Sequence, residues 1–142
     1  GCKTVSADEI ANTGKDFSTT DTVGCVVRDG DQFAAALSTG GINDAIPGRV
    51  GDVPLIGCGL YAGPDGAVAA TGDGEYIAMQ MTAFRAYQLI EQGVDPKEIV
   101  ATAISWFKKP ISFGIIVVSK TGFAGGSNDS MAWTASEIEI SL

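Results

Sequence analysis

Asp21-Thr22-Val23-Gly24-Cys25-Val26-Val27 is the stretch on which the reading of this chain turns. A run of β-branched and small apolar residues starts directly after a Thr, and a polar run from Asn12 to Thr20 precedes it. Such residues fit a pleated, packed surface, so Thr22 to Arg28 reads as a strand. Asp29-Gly30-Asp31 is a turn signal, and Phe33 to Thr39 is a second apolar run, so the two form a β-hairpin. Pairing across that hairpin sets Thr22 opposite the region of Thr39. Both strands are apolar or small at nearly every position, which calls for cover on both faces. The rest of the chain offers nothing obvious for the second face, so a separate polypeptide is expected there.

A Thr hydroxyl is a weak nucleophile without a base beside it. The chain contains no His, which closes the Ser-His and Cys-His arrangements. One arrangement needs no other side chain. Cutting the chain between Asp21 and Thr22 would free the Thr22 α-amine, which titrates near pH 8 and suits a general base. The competing reading is a Thr that starts a strand for its β-propensity alone.

The chain's 142 residues suffice for one domain with a real core, and 45% hydrophobic and 18% charged residues are globular values. The 19 glycines signal many tight turns. A net charge of −8 argues against nucleic acid, whose phosphates need a cationic surface. No apolar run approaches the roughly 18 residues of a membrane span, and the N-terminus lacks the apolar core of a signal peptide. Cys2, Cys25 and Cys58 lack metal-type spacing, and Cys25 and Cys58 sit in apolar runs as small hydrophobes. The expectation is a reduced, cytoplasmic setting with no metal and no cofactor.

Before the hairpin, Val5 to Ala11 reads as a short helix or loop, followed by a linker. After it, Gly40 to Asp52 is too rich in Gly for a regular element. It is a long loop, of the kind that carries function. Val53 to Leu60 reads as a third strand, Gly63-Pro64-Asp65-Gly66 as a turn and Ala67 to Thr71 as a fourth strand. A helix follows through about Gln92, with Ile77, Met81, Phe84, Tyr87 and Ile90 at steps of three and four, and Gly93 stops it. Asp95-Pro96-Lys97-Glu98 opens a second helix, with Asp95 as N-cap and Glu98 spaced for a capping box. That helix buries Ile99, Ala103, Ile104 and Phe107 and runs to Lys108-Lys109 before Pro110. Ile111 to Ser119 and Phe123 onward are further strands, and Glu137 to Ser141 alternates like an edge strand. The sum is α+β, a helix layer on one face of a mostly antiparallel sheet.

Three further motifs carry chemistry. In Pro47-Gly48-Arg49-Val50-Gly51-Asp52, one cation and one anion stand three apart, a match for an α-amino acid's carboxylate and ammonium. A local Arg49–Asp52 salt bridge is the plainer reading. Ala70-Thr71-Gly72-Asp73-Gly74-Glu75 joins a strand to a helix, where backbone N–H groups and close approach at Gly suit an oxyanion. A simple strand-to-helix turn with Thr71 as cap reads equally well, and no Lys follows to make a phosphate loop. Ser38-Thr39-Gly40-Gly41 puts hydroxyls beside Thr22.

DTVGCVV, STGG, PGRVGD, PLIGCGLYA and ATGDGE, in this order and spacing, resemble the β subunit of the plant-type asparaginase and isoaspartyl peptidase family, within the N-terminal-nucleophile hydrolases. The resemblance covers residues 21–142. It implies an αββα sandwich of which this chain supplies about half, with residues 1–21 as the tail of an upstream α half and 22–142 as the catalytic β subunit. It implies self-cleavage between Asp21 and Thr22, with Thr22 as nucleophile and amine base and Thr39 as its hydroxyl partner. Arg49 and Asp52 would clamp the substrate's α groups. Thr71 and Gly72 would form the oxyanion hole, and Gly74 would line the pocket. The implied substrates are L-asparagine and β-aspartyl dipeptides. The implied partners are the chain's own α subunit, in an (αβ)2 dimer, and a monovalent cation site in the α half. Glu75 in TGDGE favours asparaginase over glycosylasparaginase, which remains the alternative enzyme. An uncleaved module that binds amino acids or a partner is the alternative outside enzymes.

Overall fold

A computed structural model describes residues 21–137. The expected element over Val5–Ala11, the linker, Cys2 and all but the first residue of the Glu137–Ser141 strand lie outside the described residues.

Among the described residues, two antiparallel sheets and three helices make an α+β fold. Strands β1 (Thr22–Asp29) and β2 (Gln32–Thr39) form a two-stranded sheet around Gly30, whose φ of 57° suits the turn. Strands β3 (Leu60–Gly63), β4 (Gly66–Gly72), β5 (Phe113–Ser119) and β6 (Phe123–Ser127) form the second sheet in that order. Helices α1 (Gly74–Met79), α2 (Thr82–Glu91) and α3 (Pro96–Ser105) lie between β4 and β5 in sequence.

The larger sheet has one face toward the helices and one toward the hairpin. Side-chain alternation sends Val68, Ala70, Ile115 and Val117 into the core with Ala83, Tyr87, Ile90, Ile99 and Ala103 from the helices. Phe107 stacks on Phe113 in that core, ring centroids 4.1 Å apart. β4 is apolar on both faces because both are covered, which is why its sequence does not alternate. On the other side the hairpin rests against β3, β4 and β5. Arg28 ties its tip down, donating to the Gly30 carbonyl at 2.8 Å and to the Lys120 carbonyl in the β5–β6 turn at 2.6 Å.

Several expectations needed correction. Val53 to Leu60 is not a strand. Asp52's carbonyl accepts from the N–H groups of Leu55 (3.0 Å) and Gly59 (3.1 Å), winding the segment into turns, so only Leu60–Gly63 is extended. The helix through Gln92 is two helices, broken at Met81, which adopts a left-handed conformation (φ 47°, ψ 50°). The Thr82 hydroxyl takes the Ile77 carbonyl at 3.0 Å. The N–H groups of Ala83 and Phe84 turn instead to the carbonyls of Cys58 and Gly57. Met81 is therefore exposed and leaves the apolar stripe. α3 ends at Ser105, before Lys108-Lys109. Asp95 caps it through the Lys97 N–H at 2.9 Å, without a return bond from Glu98. Cys58 is buried, but Cys25 is exposed. It lies on the hairpin's outer face with Val23 and Val27, which are also exposed.

No described helix is long and apolar enough to cross a membrane.

Candidate active site

The hairpin register sets Thr22 directly across from Thr39. The Thr22 hydroxyl donates to Thr39 Oγ1 at 2.9 Å, and the Gly41 N–H donates to the same oxygen at 3.0 Å. Two donors converging on Thr39 Oγ1 fix its lone pairs and hold Thr22 Oγ1 in one place. In this chain Thr22 is joined to Asp21, so its nitrogen is an amide and no base. The Asp21 carboxylate accepts from that N–H at 2.8 Å and stands against the peptide bond between the two residues.

Arg49 and Asp52 lie on the loop between β2 and β3, and they do not pair with each other as the plainer reading had it. Nε and Nη2 of Arg49 both reach Glu75 Oε1, at 2.7 and 2.6 Å. Glu75's own backbone N–H, and then Arg49, hold its carboxyl below the usual range. With its Nε/Nη2 edge on Glu75, the guanidinium keeps its other edge for a second carboxylate. Asp52 is only 5% exposed, and its Oδ2 is buried without a hydrogen-bond partner among the described residues. Burial pushes its carboxyl pKa up, against opposing pulls from its own backbone N–H and from Arg49. A buried carboxylate oxygen with no partner is costly, and a ligand ammonium would satisfy it.

The turn after β4 completes the arrangement. Gly72 has φ 138°, and a Cβ there would collide with the Ser112 carbonyl oxygen, so only glycine fits. Gly74 lies against Asp52: a Cβ would stand 2.6 Å from Asp52 Oδ1. A Gly-to-Ala change at a helix start ordinarily favours the helix. Here Gly74→Ala is expected to displace the Asp52 carboxylate and weaken binding of an α-amino acid about tenfold or more, an effect of about 1.4 kcal/mol, while melting temperature falls little. Calorimetric titration beside a thermal melt would check it.

One cavity of about 410 Å³ is lined by Asp21, Thr22, Thr39, Arg49, Asp52, Thr71, Gly72 and Gly74, so the structure gathers every site residue expected from the sequence. A second, of about 650 Å³, opens between the two sheets beside Thr22 and Val23. The sequence reading gave no contact role to Glu75, Asp73, Ser112 or Met131, and the last three also line the smaller cavity. Nothing near Met131 signals that the chain after β6 folds back onto the site. Glu75's role as the partner of Arg49 depends on a contact across 26 residues. Among the described residues, no group of three or more His, Cys, Asp and Glu side chains is placed to hold a metal ion.

A family model described as asparaginase matches residues 2–139. An isoaspartyl peptidase/L-asparaginase from Macaca fascicularis is 41% identical over 122 residues, 82% of this chain and 40% of that protein. One from Homo sapiens is 42% identical over 122 residues, again 82% and 40%. A plant-type L-asparaginase from Pyrobaculum calidifontis is 43% identical over 107 residues, 72% of this chain and 36% of that protein. The chain thus spans about two fifths of the length of the curated relatives it matches.

Proposed function

The chain belongs to the asparaginase family, and from that premise we propose that it supplies the nucleophile-bearing half of a threonine amidohydrolase. Its substrates are the side-chain amide of L-asparagine and β-aspartyl dipeptides. The observation that carries this reading is the unpartnered, buried Asp52 Oδ2 in the same cavity as the Thr22–Thr39 hydroxyl pair.

Maturation comes first. Thr22 Oγ1 attacks the Asp21 carbonyl carbon, the C–N bond breaks, and the nitrogen leaves with a proton as the Thr22 α-amine. Water then opens the resulting ester, leaving Asp21 with a new carboxylate. In turnover the freed amine takes the hydroxyl proton while Oγ1 attacks the substrate's side-chain carbonyl. The Thr71 hydroxyl and the Gly72 N–H receive the oxyanion, and the amine returns the proton to the leaving nitrogen. Water hydrolyses the β-aspartyl ester. Arg49's free edge takes the α-carboxylate and Asp52 the α-ammonium. That clamp selects for a side-chain bond, because only then are both α groups free to bind.

The other half of the fold would be an α polypeptide on the hairpin's bare face, completing an αββα sandwich of the N-terminal-nucleophile type. The exposed Val23, Cys25 and Val27 support this. An (αβ)2 dimer in the cytoplasm belongs to the same reading. Intact mass spectrometry of the active enzyme should find a new N-terminus at Thr22. A preparation that hydrolyses β-aspartyl dipeptides with residues 21 and 22 still joined would refute the mechanism.

A further inference from the structure

At Asp73 the sheet hands the chain over to a helix, and one side chain makes the exchange possible. The pairing of β4 with β5 continues one step past Gly72: the Asp73 N–H donates to the Ser112 carbonyl at 2.9 Å. In a regular antiparallel pair the return bond would run from the Ser112 N–H to the Asp73 carbonyl. It runs instead to the Asp73 carboxylate, to Oδ2 at 2.9 Å. The main-chain carbonyl so released accepts from the N–H groups of Tyr76 (3.0 Å) and Ile77 (3.2 Å), and starts α1. Asp73 occupies the N-cap position of α1, yet its side chain makes no bond to that helix. An aspartate there ordinarily caps the first turn. This one is bound across to β5.

The consequence falls on the residues just before it. The Ala70 N–H donates to Gly59, on the β3 side, and the Asp73 N–H donates to β5. Alternation along the strand therefore turns the Gly72 N–H to the side away from β5, at a level β3 does not reach. Among the described residues the Thr71 hydroxyl makes no hydrogen bond, and Thr71 lines the site cavity. Both donors are thus held by a strand that stays registered through residue 73, and that register is closed on a carboxylate.

We propose that Asp73 is a positioning residue for the oxyanion donors. Its carboxylate, bound to the Ser112 N–H, fixes where the Thr71 hydroxyl and the Gly72 N–H point. This rests on the reading of those two groups as the oxyanion hole. Donors aimed at developing charge act in the transition state more than in the ground state, so loosening them lowers kcat with little change in KM. Misplacement by about 1 Å is enough for roughly a hundredfold loss.

The test uses the assembled, cleaved enzyme with a β-aspartyl dipeptide. Asp73→Ala should lower kcat about 10- to 100-fold with KM within about threefold of wild type. Asp73→Asn, whose amide oxygen accepts the same N–H, should stay within about threefold in both. A full kcat in Asp73→Ala, a loss seen only in KM, or an Asp73→Asn as impaired as Asp73→Ala would each overturn the proposal. So would an Asp73→Ala that fails to fold by circular dichroism, since the residue would then serve the fold at large. A Thr22→Ala control run alongside separates the two claims: if it still turns over, the mechanism itself is at fault. If it is inactive while Asp73→Ala is normal, only the role of Asp73 falls.

Discussion

Thr22→Ala is expected to remain a single uncut chain across Asp21-Thr22 and to lose hydrolysis of β-aspartyl dipeptides by about 10⁴-fold or more. The size follows from what the hydroxyl is asked to do. Removing a covalent nucleophile leaves only binding and oxyanion stabilisation, and losses on that scale are typical. Both activities should vanish together, because in the proposed mechanism one oxygen performs both attacks. The methyl group left behind is smaller than the native side chain, and Thr22 is only half-buried at a strand end, so the fold should persist. Intact mass gives the first outcome and steady-state turnover the second. Cut chains in the variant would place the maturation nucleophile elsewhere, and retained turnover would place the catalytic one elsewhere. Thr22→Ser keeps the oxygen and should retain both activities at a reduced rate.

Asp52→Asn should show opposite effects on activity and stability. Substrate would bind with its ammonium facing a neutral amide in a buried site. Breaking one side of a buried charge pair costs about 3–5 kcal/mol, or about 10²- to 5 × 10³-fold in kcat/KM. The unliganded enzyme, by contrast, should become more stable. Burial raises the folded-state pKa of Asp52 above its ordinary 3.8. Between the two values the folded chain holds a proton that the unfolded chain has released, so stability falls as pH rises through that window. Above the folded-state value the destabilisation is present in full, and the amide removes it. The melting temperature should rise by a few degrees, on the order expected for about 1 kcal/mol. In the native enzyme, kcat/KM should decline on acidification at a pH above that of an ordinary aspartate, and the variant should lack that limb. A variant less stable than wild type at neutral pH would show that Asp52 is satisfied in the free enzyme after all.

What the sequence revealed and what it hid follow from contact range. The hairpin was legible because Asp29-Gly30-Asp31 sets the turn and two apolar runs flank it. The Thr22–Thr39 register then followed from counting. The start of α3 was legible because capping is written within four residues. The break at Met81 was not: apolar residues continue at helical spacing through it, and it is the carbonyls of Gly57 and Cys58 that open the chain there. The loop over residues 53–59 was misread for the same reason, since Val, Leu and Ile suggested a strand while one carbonyl, that of Asp52, gathered the segment into turns. At the site the residue types were readable and their partners were not. Arg49 finds Glu75 across 26 residues, and Asp73 finds Ser112 across 39.

The proposed nucleophile and the proposed clamp ride on different bodies. Thr22 belongs to a ribbon of two strands, a unit with little stability of its own. Asp52 belongs to a loop bonded into α2 and the larger sheet. The gap that a substrate must bridge is therefore set by how one body seats upon the other. Substitutions deep between the sheets, far from any reacting atom, could detune turnover while the melting curve barely registers them.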